Sequence, residues 1–249
     1  MAVTIAVSGK GGSGKTTFSA MMMRSLIEMA PGKAVLGVDA DSNSCLGITL
    51  GVELIGTVAD VRDQARALKP SNAGMDRVRT VEYGIQQSLT ESQGFDLLTM
   101  GRPEGPDCYC AVNNMLRRFL DELGSQYRYV VIDNEAGMEH LSRRTTNNVD
   151  MLCIVAEPTP VGEVTAERIY QLVKKLPIVV KKTGLVWNRA DNGKKPDDID
   201  ILGYIPYDEA VLNASTQGKT VFDLDENNPA LVATEKIVEN ILELSSSKP

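Results

Sequence analysis

The stretch GKGGSGKTT, residues 9–17, decides how this chain is read. It satisfies the pattern G-x-x-x-x-G-K-[ST], and its flanks supply the context that pattern needs. The apolar run VTIAVS (3–8) before it reads as a strand. TTFSAMMMRSLIEM (16–29) after it has helical character and stops before Ala30-Pro31-Gly32. Strand, glycine loop and helix together make a phosphate loop. Glycines let backbone N–H groups turn inward around phosphate oxygens, and the helix start adds a favourable dipole. In this loop Lys15 is expected to reach the β and γ phosphates and Thr16 to ligate Mg²⁺. Gly9, Gly11, Gly12, Ser13, Gly14 and Thr17 complete the cradle.

Outward from the loop the chain keeps alternating strand and helix. AVLGVD (34–39), FDLLTM (95–100), YRYVVID (127–133), DMLCIVAEP (150–158), TGLVWN (183–188) and ILGYIP (201–206) are short apolar runs separated by helical segments. Near-continuous apolar strands indicate a parallel sheet buried on both faces. The expectation is an α/β fold: one P-loop NTPase domain spanning 1–249, its mostly parallel central sheet flanked by helices on both faces. Residues 57–93 are polar and expected to be helical, as an insertion or lid. Residues 245–249 are expected to be a flexible tail.

Composition narrows the function classes. A net charge of −7 opposes general nucleic-acid binding, which depends on Lys and Arg neutralising phosphates. There is no apolar run of about 18 residues, the length that would span a membrane. The N-terminus lacks the basic region and cleavage site of a secretory signal. A cytoplasmic location is expected. Four cysteines are too few for a disulfide scaffold in a chain this long.

Carboxylates stand where a parallel sheet places its ligand crevice, at strand C-termini. Asp39 and Asp41 end the second run. Asp133 ends YVVID, a position suited to holding a Mg²⁺-bound water. Gly137, just beyond, can bring its N–H to the γ-phosphate because glycine allows that close approach. Losing that bond after hydrolysis would release the loop. His140, the sole histidine, reads as structural, with a switch-coupled role as the alternative.

A phosphate loop does not require Lys10. With it, the loop resembles the deviant Walker A of the SIMIBI group of P-loop NTPases, which includes nitrogenase iron protein, MinD and ParA. The resemblance implies ATP and ADP as ligands and a homodimer in which Lys10 reaches the partner's nucleotide. A cation supplied that way stabilises charge on the transferring phosphoryl group. The plain alternative is an exposed loop lysine. The resemblance also implies that Asp41 orients the attacking water while Asp39 supports the site, although helix capping remains open for Asp39. Lys10, Lys15, Asp41 and Asp133 are thus the candidate catalytic set. Ser42 stands where the group has proline, which leaves that loop less constrained. Asn188 and Pro206 are similar to the group's adenine-binding positions, and each also reads as a strand-end turn residue.

The segment GRPEGPDCYCAVNNMLRR (101–118) places Cys108 and Cys110 one residue apart. On extended backbone, such side chains project to the same side and can share one metal ion. A structural thiolate site normally takes four ligands. Cys153 reads as a core residue, and Cys45, in the loop after Asp41 where a switch could use it, by default as a small buried side chain. Two copies meeting on a two-fold axis would complete a Cys₄ site. The dimer that Lys10 suggests is then the dimer the cysteines need.

Together with VDADSNSCLG and GMEHLSRRT, this segment resembles the CooC-type nickel-insertion ATPases, whose AcsF branch serves acetyl-CoA synthase. The resemblance implies a homodimer holding Ni²⁺ or Zn²⁺ at Cys108 and Cys110, with carbon monoxide dehydrogenase or acetyl-CoA synthase as client. Tetrahedral geometry suits zinc and square-planar geometry suits nickel, so four thiolates do not choose between them. Two other readings stay open. A MinD- or ParA-like positioning ATPase would use a basic C-terminal helix on membranes, but residues 230–244 carry Glu235, Glu239 and Glu243 against Lys236. An iron-protein-like reductase would bridge its subunits with an iron–sulfur cluster.

Overall fold

The apolar runs become strands because both their faces find helices to bury them. The computed structural model describes residues 2–32, 35–67, 73–102, 122–135, 148–176 and 178–246. In chain order these form β1 (Val3–Gly9), α1 (Lys15–Met29), β2 (Val35–Ala40), α2 (Leu46–Leu50), α3 (Val58–Ala67), α4 (Ala73–Ser88), β3 (Thr90–Glu91), β4 (Phe95–Thr99), β5 (Tyr129–Asn134) and β6 (Asn148–Ala156). There follow α5 (Pro160–Val173), β7 (Val179–Asn188), β8 (Asp200–Ile205), α6 (Glu209–Thr216), a 3₁₀ turn (Val221–Asp223) and α7 (Pro229–Ser246). The strands make one sheet in the order β3-β4-β2-β5-β1-β6-β7-β8. Every pairing is parallel except the short β3–β4 edge.

Side chains alternate between two cores. Ile5 and Val7 of β1 face α1 and α7, with Phe18, Met22, Leu231 and Ile237. Ala6, between them, faces the opposite layer with Leu36, Leu98, Ile132 and Ile154. That layer is covered by α3, α4 and α5 through Val61, Ile85, Ala166 and Ile169. Within 57–93 the described residues thus form the helices α3 and α4, which cover the sheet, and the edge strand β3. The edge strand β3 was not anticipated, because two residues are too few to show a period.

Two helices illustrate the local logic. α1 is buried along most of its length, so its polar residues need internal partners. Arg24 Nη1 donates to the Val221 and Leu224 carbonyls at 2.7 and 2.8 Å, and Ser25 Oγ donates to the Met21 carbonyl. α7 starts at Asn228-Pro229, where Asn228 Oδ1 accepts the N–H groups of Ala230 and Leu231 and proline occupies the first helical position. Its Leu231, Ile237, Val238 and Ile241 are fully or almost fully buried. The apolar face that sequence periodicity marked out is thus packed into the core.

β1 lies at the centre of the sheet, between β5 and β6, and the chain next forms β2 on the far side of β5. Such a reversal of strand order opens a crevice at the strand C-termini.

Candidate functional site

β1 hands over to α1 through residues 10–14. Gly9 lies so close to β6 that a Cβ there would stand 2.2 Å from the Val155 carbonyl oxygen. Gly14, with φ 90, precedes α1 in left-handed geometry, and no side chain caps the helix or adds acid to its first turn. An uncapped helix start within a glycine loop leaves N–H groups for an anion. Lys15 is buried, and its Nζ donates to the Lys10 carbonyl at 3.3 Å. Ser13 Oγ is buried with no partner among the described residues. A buried ammonium beside free N–H groups makes phosphate the complementary ligand. The Lys10 side chain is exposed.

The carboxylates sit on the other side of the loop. Thr16 Oγ1 donates to Asp133 Oδ2 at 2.7 Å, and Ser19 Oγ donates to Asp133 Oδ1 at 2.9 Å. Burial pushes the Asp133 carboxyl up to about 6, against the pull of the two hydroxyls and of the Lys15 charge. Asp39 is paired in register with Asp133 across β2 and β5. Burial raises it to about 7; the bonds from the Leu46 and Asp41 N–H groups oppose the rise, and the Asp133 and Asp41 charges add to it. Asp39 accepts the first N–H of α2, as a helix-capping aspartate does, and lies in register with the second carboxylate. A hydroxyl and a carboxylate in contact are hard oxygen donors of the kind Mg²⁺ takes. A cation there would offset charge that burial otherwise penalises, so the residues fit Mg²⁺.

Where the SIMIBI group has proline, the loop at Ser42 is folded on Asp41. Asp41 Oδ1 accepts both the backbone N–H and the Nδ2 of Asn43 at 2.9 Å. The Ser44 N–H reaches the Asp41 carbonyl at 3.0 Å, with Ser44 at φ 51.

On the opposite flank a cavity of about 340 Å³ is lined by Gly14, Thr17, Asn188, Pro206, Tyr207 and Leu212, among others. Both expected adenine-side residues thus share one cavity, which also touches the end of the phosphate loop. Cys153 is buried in β6, and burial raises its thiol. Cys45 departs from expectation. It is exposed, with Sγ 3.6 Å from the Asn43 carbonyl. Partial burial, then the Asp39, Asp41 and Asp133 charges, push its thiol up. A small apolar side chain is usually buried; here the turn on Asp41 leaves Cys45 outward.

Cys108, Cys110, Gly137 and His140 lie outside the described residues, as do 247–249 of the expected tail. Among the described residues no group of three or more His, Cys, Asp or Glu side chains could hold a metal ion. No described helix is long and apolar enough to cross a membrane.

Three contributors escaped the sequence reading. Ser19 stands three residues after Thr16, so helical spacing alone places both hydroxyls on one face. Asn134 Nδ2 donates to the Val7 carbonyl at 3.0 Å, tying β5 to β1 beside Asp133. Glu157 and Arg189, at the ends of β6 and β7, form an ion pair at 2.6 Å. No sequence pattern announces that pair.

Comparison with known proteins places this geometry. Residues 4–221 match the family described as the CobQ/CobB/MinD/ParA nucleotide binding domain. The chain is 40% identical over 249 residues to the uncharacterized ATP-binding protein MJ0685 of Methanocaldococcus jannaschii, covering 96% of this chain and 98% of that one. It is 31% identical over 243 residues to the carbon monoxide dehydrogenase accessory protein CooC of Rhodospirillum rubrum, covering 88% and 89%. Its fold is similar to that of the septum site-determining protein MinD complexed with Mg-ADP from Pyrococcus horikoshii, with a TM-score of 0.70, 21% identity and coverage of 99% and 98%.

Proposed function

The chain belongs to the CobQ/CobB/MinD/ParA nucleotide-binding family, and from that premise we propose that it is an ATP-driven nickel metallochaperone. In this reading a homodimeric ATPase carries nickel at an interface Cys₄ site and delivers it to carbon monoxide dehydrogenase or acetyl-CoA synthase. One observation carries the reading: Cys108-Tyr109-Cys110 lies in a chain 31% identical, over most of its length, to a protein named for service to carbon monoxide dehydrogenase.

The roles proposed here are those the resemblance implies, and the site's chemistry supports them. The N–H groups of residues 9–17 and the Lys15 ammonium bind the phosphates, and Asn188 and Pro206 flank the adenine. Thr16 Oγ1, and Asp133 through a water, would hold Mg²⁺, which would neutralise phosphate charge. Asp41 orients the attacking water and Asp39 sets the loop that carries it, through the Leu46 and Asp41 N–H groups. Lys10, exposed and free to extend, acts on the partner's nucleotide. Gly137 senses the γ-phosphate. ATP favours the closed dimer only through contacts the open form lacks, and that difference is what couples nucleotide to metal affinity. Nickel is cargo, and zinc can occupy the same thiolates.

The positioning-ATPase reading gains less support. The apolar face of α7 is packed inside, and its outer face carries Glu235, Glu239 and Glu243. Neither feature suits an anionic membrane.

Equilibrium dialysis against Ni²⁺ tests the proposal. The wild-type dimer with ATP should hold one tight ion, and the Cys108→Ser/Cys110→Ser chain none. Tight nickel in the double variant would overturn the assignment, and iron with acid-labile sulfide in anaerobically purified protein would favour the reductase. Nickel activation of apo-carbon monoxide dehydrogenase against apo-acetyl-CoA synthase identifies the client.

A further inference from the structure

We propose that Asn188 is a positioning residue for the phosphate loop, fixing the Ser13–Gly14 peptide whether or not a base is bound. The proposal rests on the nucleotide reading above and adds a role that base contact does not require. Asn188 Nδ2 donates to the Ser13 carbonyl oxygen at 2.8 Å, a buried bond between β7 and the loop. The approach is so close that a Cβ on Gly14 would lie 2.2 Å from Nδ2. Glycine is therefore needed at position 14 for the tether as well as for its φ of 90.

The amide is locked from its other end. Asn188 Oδ1 accepts the Arg189 N–H at 3.0 Å. Arg189 holds a φ of 56, and with Ser44 it is one of two non-glycine residues in left-handed backbone among the described residues. Such geometry persists only where surroundings over-determine it. Here the Arg189 side chain pairs with Glu157 and the Ala190 N–H bonds to the Ile205 carbonyl at 2.8 Å. With an N–H facing Oδ1 and a carbonyl facing Nδ2, only one amide orientation satisfies both partners.

The consequence lies in peptide planarity. In a trans peptide the carbonyl of one residue and the N–H of the next point in opposite directions. Holding the Ser13 carbonyl toward Asn188 turns the Gly14 N–H away from β7, onto the side of the loop that takes phosphate. Without the tether that peptide is free to rotate, and one donor of the cradle loses its aim.

A ligand without a base separates this role from base reading. Isothermal titration of the full chain uses Mg-tripolyphosphate and Mg-ATP, with wild type, Asn188→Ala and Asn188→Asp. Leaving the buried Ser13 carbonyl unpaired should weaken tripolyphosphate about tenfold in Asn188→Ala. Asn188→Asp, which faces that carbonyl with a carboxylate, should weaken it at least as much. Thermal midpoints should fall by several degrees, the cost of an unpaired buried carbonyl, with the fold retained. Unchanged tripolyphosphate affinity with weakened ATP would overturn the proposal and leave Asn188 a base reader. Loss of the folded far-ultraviolet spectrum in both variants would also overturn it, since a loop tether leaves the fold intact. Wild type failing to bind Mg-ATP would instead remove the nucleotide reading itself.

Discussion

Thr16 Oγ1 and Asp133 Oδ2 are in hydrogen-bond contact at 2.7 Å, although 117 residues separate them in the chain. One belongs to the first turn of α1 and the other to the end of β5. The contact exists because β1 and β5 pair in register from Val3↔Tyr129 to Val7↔Asp133, which brings the carboxylate level with the loop. Ser19 takes the second oxygen of the same carboxylate. The carboxylate is thus fixed by two hydroxyls.

The two hydroxyls should differ in consequence. Thr16→Ala removes a proposed metal ligand and should lower ATP turnover by more than about a hundredfold. Ser19→Ala removes only an orienting bond and should cost about tenfold. Steady-state ATPase rates with Mg²⁺ titrated over each variant check this. Equal losses would mean that Thr16, like Ser19, only orients Asp133.

The paired carboxylates give the nucleotide-free protein a particular pH dependence. Asp39 is raised from the ordinary 3.8 to about 7 and Asp133 from 3.8 to about 6. Between the ordinary and folded values, the folded chain keeps protons that the unfolded chain has released. Stability is therefore greatest below this window and falls as pH rises through it. For Asp39 the loss is on the order of 4 kcal/mol once pH exceeds 7. Urea midpoints of the nucleotide-free chain should fall from pH 5 to pH 8, and Asp39→Asn should flatten the slope. A midpoint that rises over that range would contradict the raised carboxyls.

Gly9 tests the packing beneath the loop. A methyl group there meets the Val155 carbonyl at 2.2 Å, a backbone atom that cannot swing aside. Gly9→Ala should destabilise the chain by about 1–3 kcal/mol, the usual cost of overpacking. It should also weaken nucleotide binding, because β1 must shift away from β6 at the loop. Chemical denaturation and ATP titration on the same variant read both effects.

Much of this was legible because it is local. The strands announced themselves as apolar runs, and the phosphate loop as a motif between strand and helix. Asp39 and Asp133 could be placed at strand ends from sequence, but their pairing across β2 and β5 depends on strand order, which periodicity does not encode. The Glu157–Arg189 pair and the Asn188 tether were hidden for the same reason. Each joins segments brought together only by β6, β7 and the loop. Cys45 misled because burial statistics describe a residue type, whereas its exposure is set by a turn built on Asp41.

Lys10 carries the prediction on which assembly depends. Its carbonyl works within its own chain, accepting from the Ser13 N–H at 3.2 Å and from Lys15 Nζ at 3.3 Å. Its side chain is exposed. The two halves of the residue can therefore be separated by mutation. Lys10→Ala keeps the carbonyl, so the loop should stay intact and ATP affinity should change little. What it removes is the cation proposed to act on a second copy. Sedimentation velocity with Mg-ATP should show wild type as a dimer and the variant as a monomer, and turnover in the variant should fall with dimerisation. Lys15→Ala should fail earlier, at binding, because the buried ammonium proposed to meet the phosphates is gone. A Lys10→Ala chain that dimerises and hydrolyses ATP like wild type would confine Lys10 to the exposed-loop role and remove action in trans from the mechanism.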